Sequence, residues 1–138
     1  MCMHKFVCDS GTEKECFMRQ LFANTETVDV KSGEKLFLHN NASDFLMGPF
    51  VASSDLQKNI VPTAWGGDYP YQVRVDWSDP VYGLSISIAT DPHLGDTSEI
   101  LSNINLHGGF QSFSESKGED IVSELRNYEK SQKIISRK

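Results

Sequence analysis

From Tyr71 the chain alternates, with Tyr71, Val73, Val75 and Trp77 on one side and Gln72, Arg74 and Asp76 on the other. That is the period of a half-buried strand. The opening "HKFVC" reads as a first strand, "EKLFLHN" from Glu34 as a second and "DFLMGPFVASS" from Asp44 as a third. A turn at Asn40-Asn41-Ala42-Ser43 joins the second to the third. Gly48-Pro49 inside the third run predicts a bulge or a sheet edge. "YGLSISI" makes a fifth strand, with Leu84, Ile86 and Ile88 buried.

Helical spacing occurs in three places. After the turn Asp9-Ser10-Gly11, Thr12 and Glu15 have capping-box spacing, and Phe17, Met18, Leu21 and Phe22 form an apolar stripe. Asp96 and Glu99 make a second such box before Ile100, Leu101 and Ile104. A last helix from about Gly118 carries Ile121, Val122, Leu125 and Tyr128. Strands flanked by helices, without βαβ alternation, predict an α+β domain built on a bent, mostly antiparallel sheet.

One large residue escapes this pattern. Trp65 lies in the Pro/Gly-bounded stretch "PTAWGGDYP", which no core periodicity reaches. An indole there either closes one end of the core or is displayed on its loop as a wall for a ligand.

The chain of 138 residues is one domain's worth. Its apolar runs fall short of the roughly 20 residues of a membrane helix, and no signal-peptide profile opens it, so a cytosolic protein with no membrane association is expected. The three cysteines, Cys2, Cys8 and Cys16, lack metal or disulfide spacing, and the four histidines are scattered. No metal and no cofactor are expected. The net charge of -6 opposes non-specific binding to nucleic acid, yet the C-terminus is basic, with Arg126, Lys130, Lys133, Arg137 and Lys138 against Glu129 alone. That cluster is either compensation of a helix dipole or a phosphate-facing arm. Motifs for nucleophilic, metal-dependent or phosphate-cradling catalysis are missing; Asp9, Ser10 and His39 supply the residue types of a triad, which is recognised by geometry and not by composition.

"HKFVCDSGTEKECFMRQLFA", "LFLHN", "GPFVASS", "PTAW" and "YPYQVRV", in that order over residues 4 to about 77, resemble the DCD (development and cell death) domain. Where that family has F-G-L-P after its first helix, this chain has Phe22-Ala23-Asn24-Thr25. The DCD domain is similar to the EVE and YTH domains of the PUA-like group, pseudo-barrels that hold nucleic acid and in several members take a flipped, modified base into an aromatic pocket. The resemblance therefore implies a PUA-like pseudo-barrel, a single domain over residues 1–138 whose last part, 129–138, is a basic helix end. Carried over by position, the pocket elements are Trp65, the turn Cys8-Asp9-Ser10 and the Phe22 region, with Arg74, Lys130 and Lys133 as phosphate contacts.

The resulting expectation is a non-enzymatic module whose partner is DNA or RNA carrying a modified base. Stacking on an indole contributes about 1–3 kcal/mol per base, and Asp9 and Ser10 would read its hydrogen-bonding edges. The rival is a protein-interaction or small-ligand or nucleotide sensor module of stress signalling, with protein partners, which the acidic balance favours.

Overall fold

The computed structural model describes residues 2–77, 81–89, 100–101 and 108–136, with backbone alone at 88–89 and 129–136. Its elements are β1 (Met3–Cys8), α1 (Glu13–Arg19), β2 (Leu21–Asn24), β3 (Lys35–Asn40), β4 (Phe45–Ala52), β5 (Gln57–Lys58), a 3-10 turn (Ala64–Gly67), β6 (Tyr71–Asp76), β7 (Tyr82–Ser85), α2 (Ile86–Ala89), β8 (Gln111–Phe113) and α3 (Glu115–Ser136). The strands hydrogen-bond in the order β2-β6-β4-β3-β1-β8, with β5 on β6 and β7 on β4. β1 and β3 run parallel and the other pairs antiparallel, so the sheet is mixed and curls into a half-barrel.

The centre of the sheet is buried on both faces. Phe6 and Cys8 of β1, Leu36 and Leu38 of β3, and Phe50 and Ala52 of β4 meet Leu21, Phe22, Val73 and Trp65 in one core. Met3, Phe37 and Leu46, from the same strands, face Leu84, Phe113 and the α3 residues Ile121, Val122 and Leu125 in a second. Alternation along β1 and β3 thus selects a core rather than core against water.

Several elements depart from the sequence expectation. α1 stops at Arg19, where Gln20 adopts a left-handed conformation (φ 53°, ψ 48°) and returns its N–H to the carbonyls of Cys16 and Phe17. Leu21 and Phe22 therefore belong to β2, paired with Arg74 and Val73, and not to a helical stripe; Met18 of that stripe is 71% exposed. The Thr12 side chain makes no cap bond to α1. Asp9 replaces it: its Oδ1 accepts the N–H groups of Gly11 and Thr12, both at 2.8 Å.

The fifth strand ends at Ser85, and the chain is helical from Ile86. β5 and β8, of two and three residues, are too short to leave a periodic signal. The last helix begins at Glu115, with Gly118 in its first turn, where a Cβ would run into the Met3 side chain. Gly48-Pro49 marks a bulge rather than an edge: β4 is paired on both sides, and its register with β3 shifts between Leu36 and Leu38. Ile100 and Leu101 are helical and Leu101 is buried; Asp96, Glu99 and Ile104 lie outside the described residues.

Buried polar side chains secure the edges. Lys5, inaccessible to solvent, donates from Nζ to the Gly108 carbonyl at 3.0 Å, and burial lowers its pKa to about 8. His4 joins Ser112 Oγ (2.8 Å) to Glu34 Oε1 (3.0 Å), linking β1 to β8 and to the turn before β3. In a hydrolytic triad the serine meets Nε2 and the carboxylate Nδ1. Here the order is reversed, and Glu34 Oε1 is already held by the Lys31 N–H at 2.7 Å.

Candidate functional site

The site begins at the turn after β1. Asp9 lies in the exposed corner, where the Thr12 backbone N–H first, then the Thr12 hydroxyl and the Gly11 N–H, hold its carboxyl below the ordinary range. The Thr12 hydroxyl in turn accepts the Asp9 N–H at 3.0 Å. This closed ring of bonds fixes the direction in which α1 leaves the sheet.

On that helix rests the loop before β6. The backbone N–H of Trp65 donates to Glu15 Oε2 at 2.8 Å, and its indole Nε1 donates to the Thr12 carbonyl at 3.1 Å. The Trp65 N–H first, and Arg19 after it, keep the Glu15 carboxyl below the usual range. Trp65 itself is left-handed (φ 50°), followed by Gly66 (φ 66°) and Gly67 (φ 86°). A β-branched residue would be strained at such angles, and this reversal turns the indole back under the loop.

The loop is pinned from below by Gln72. Its Oε1 accepts the Val61 N–H at 2.7 Å, and its Nε2 donates to the carbonyls of Val61 and Tyr69, both at 3.1 Å. Gln72 was expected on the polar face of its strand but is 1% exposed. Its amide complements the Val61 N–H and the Tyr69 carbonyl, and shares the Val61 carbonyl with the Ala64 N–H.

These anchors enclose a small concavity, with room for about one water molecule, lined by Val7, Cys8, Thr12, Cys16, Ala23, Trp65 and Tyr69. The Trp65 and Tyr69 rings meet edge to face at 5.9 Å. Ligand pockets usually measure about 300–1,000 Å3, so this one is closed down. Trp65 is only 9% exposed: the ring is not displayed to solvent on its loop, but packed against α1 with its remaining surface toward the concavity.

Of the residues expected to form a site, the concavity brings together Trp65 and Cys8. Asp9 and Ser10 are exposed at the corner beside it. Phe22 is fully buried in the core, 5.0 Å from the Phe50 ring and 5.8 Å from that of Phe6. Arg74 is exposed, and strand periodicity sets it on the same face of β6 as Gln72. Lys130 and Lys133 lie on α3 with side chains outside the description; Arg137 and Lys138 lie outside it altogether.

Sequence reasoning missed Cys16, Tyr69, Thr12 and Gln72. The signal for Tyr69 was its place in the same Gly/Pro-bounded loop as Trp65. Among the described residues no group of three or more His, Cys, Asp or Glu could hold a metal ion, and no helix is long and apolar enough to cross a membrane.

Known proteins share both the sequence pattern and the fold. The profile of the family described as "Development and cell death domain" matches residues 4–90. The B2 protein of Daucus carota is 37% identical over 82 residues, covering 51% of this chain and 40% of that protein; the chain thus spans less than half of this relative. A solved YTH domain, that of Pho92 in complex with m6A, superposes with a TM-score of 0.57 at 18% identity, over 90% of this chain and 82% of its own. The YTH domain of Zygosaccharomyces rouxii MRB1 protein in complex with N6-methyladenosine RNA gives 0.52 at 19%, over 89% and 86%. The Mmi1 YTH domain in complex with RNA gives 0.55 at 13%, over 95% and 81%. At these identities the likeness is one of fold: the α+β pseudo-barrel.

Proposed function

The chain belongs to the development and cell death domain family, and from that premise we propose that it is a nucleic-acid-binding module, without catalytic activity, that accepts a modified base beneath Trp65. The observation carrying this reading is the concavity itself. It combines an indole, a tyrosine ring and two thiols with the small side chains of Val7, Ala23 and Thr12, a lining suited to an aromatic ring bearing a small apolar group. The three YTH domains of the same fold were solved in complex with m6A or RNA, which supports the choice of ligand class.

The closed volume sets a condition. The loop over residues 61–69 must yield before a base can stack, and Gly66 and Gly67 beside Trp65 give the backbone that freedom. Arg74, and Lys130 and Lys133 of α3, are the proposed phosphate contacts.

A second reading draws on the charge around the rim. Asp9, Glu13 and Glu15 cluster where β1 leads into α1, and the carboxylates of Glu13 and Asp9 act on Cys8 within the concavity. Such a rim repels phosphates and suits a small uncharged ligand or a protein partner.

Fluorescence anisotropy with short RNA and DNA oligonucleotides, each carrying one methylated base or none, tests both readings. The first expects tenfold or greater preference for one methylated species, about 1.4 kcal/mol, and weakening with salt. Equal affinity across the panel contradicts it. Binding of a free methylated nucleoside alone, insensitive to salt, supports the second.

A further inference from the structure

Cys8 ends β1 and Cys16 lies on α1. Both are buried, 6% and 4% exposed, and neither is in a disulfide. Both line the concavity under Trp65 and belong to the same buried cluster. The backbone between them is braced by Thr12 and Glu13 N–H groups donating to the Asp9 carbonyl, at 3.2 and 2.9 Å, and by Cys16 N–H donating to the Thr12 carbonyl at 3.3 Å. Two thiols lining one concavity differ from an isolated buried cysteine: each faces a partner for oxidation, and the space between them has room for a molecule about the size of water.

We propose that Cys8 and Cys16 form a redox-modifiable dithiol, oxidised by hydrogen peroxide to an intramolecular disulfide that ties β1 to α1 beneath Trp65. One sulfur, as thiolate, attacks a peroxide oxygen and breaks the O–O bond, giving a sulfenic acid, while the released hydroxide takes up the thiol's proton and leaves as water. The second sulfur attacks the sulfenic sulfur, forms the S–S bond and expels the oxygen as a second water. Two thiols lose two electrons and two protons, and one peroxide becomes two waters.

The surroundings set the tempo. Interaction with Cys16, then burial, then the nearby carboxylates of Glu13 and Asp9 push the Cys8 thiol well above its ordinary range. Since the thiolate is the nucleophile, the pair responds to sustained oxidant rather than to a brief pulse. Closure brings the sulfurs to about 2.05 Å and so alters the bottom of the concavity. This proposal stands apart from the choice of ligand, since its readout is the covalent state of the chain.

The test treats the full chain with hydrogen peroxide, denatures it, alkylates remaining thiols and maps the peptides by mass spectrometry without reduction. The expected result is a chain lighter by two hydrogens, alkylated at Cys2 alone, with the peptides of Cys8 and Cys16 joined and separated again by dithiothreitol. Cys2→Ser should behave as the parent does, and Cys16→Ser should lose the intramolecular link entirely. Three alkylated cysteines after oxidation, a link that involves Cys2, or stable addition of two oxygens to either sulfur would overturn the proposal. The map of the parent chain decides by itself should Cys16→Ser fold poorly.

Discussion

The indole Nε1 of Trp65 donates to the carbonyl oxygen of Thr12 at 3.1 Å, so the loop before β6 and the turn into α1 close on one another through a single side chain. The concavity lies between the two segments so joined, and the bond from the Trp65 N–H to Glu15 Oε2 reinforces the closure. The indole bond makes Trp65 a structural residue as well as a proposed ligand wall.

Trp65→Ala should therefore destabilise the domain by about 3–5 kcal/mol, the usual range for loss of a packed aromatic. Trp65→Phe keeps most of the ring and loses only the Nε1 bond, for about 1 kcal/mol. Urea unfolding of the two variants checks the ratio. Loss of binding in Trp65→Phe at nearly unchanged stability would separate stacking from scaffolding.

Gln72→Leu should be costly although glutamine is a polar residue on a strand. It leaves the Val61 N–H and the Tyr69 carbonyl without the Gln72 amide, at about 1–3 kcal/mol for each group left unsatisfied, while the Val61 carbonyl keeps the Ala64 N–H. Hydrogen exchange at the Val61 amide should accelerate well before global unfolding, reporting release of the loop.

Acid should loosen the same loop. The folded-state pKa of Glu15 lies below its ordinary 4.5 and that of Asp9 below 3.8. The stability these carboxylates contribute is fully present above those ordinary values and is lost as pH falls through the lower folded values. The urea midpoint should decline below about pH 4.5, near where an unperturbed glutamate titrates. Glu15→Ala should shallow that decline, and an identical acid limb in the variant would exclude Glu15 as its source.

What the sequence made legible follows from which interactions are local. The alternation from Tyr71 to Trp77 identified β6, and "HKFVC" and "EKLFLHN" identified β1 and β3, because pleating imposes a two-residue period. That period could not tell which face meets α3, so the burial of Lys5, His4 and His39 went unseen. The end of α1 was misplaced because Leu21 and Phe22 continue a helical stripe in sequence, while pairing with β6, some fifty residues on, draws them into a strand.

The site followed the same division. Trp65 stood out because nothing local explained it, and Asp9 read correctly as a turn residue. Gln72 and Glu15 did not read as loop anchors, since their partners are backbone groups that only the tertiary fold supplies. Cys16, on the same helix as Phe17, reaches the concavity only through the direction that the Asp9 turn gives α1.

Phosphate contact has its own signature. If Arg74, Lys130 and Lys133 meet the nucleic-acid backbone, each replacement by alanine should reduce the slope of log affinity against log salt by about 0.7 on a single strand and 0.9 on duplex DNA. Preference between methylated and unmodified oligonucleotides should stay constant. Unchanged slopes would return these residues to the role of solvated surface charges.

The most direct test of the account follows the light emitted by Trp65 itself. Trp77 packs against the Phe17 and Phe50 rings, so Trp77→Phe keeps an aromatic there and leaves Trp65 as the sole tryptophan of the chain. Titrated with an oligonucleotide carrying the preferred methylated base, this protein should give saturable quenching as the base stacks on the indole, and the unmodified oligonucleotide should give little at the same concentrations. Binding detected by anisotropy with Trp65 emission unchanged, or the same quenching by both oligonucleotides, would contradict the claim that the modified base enters beneath Trp65.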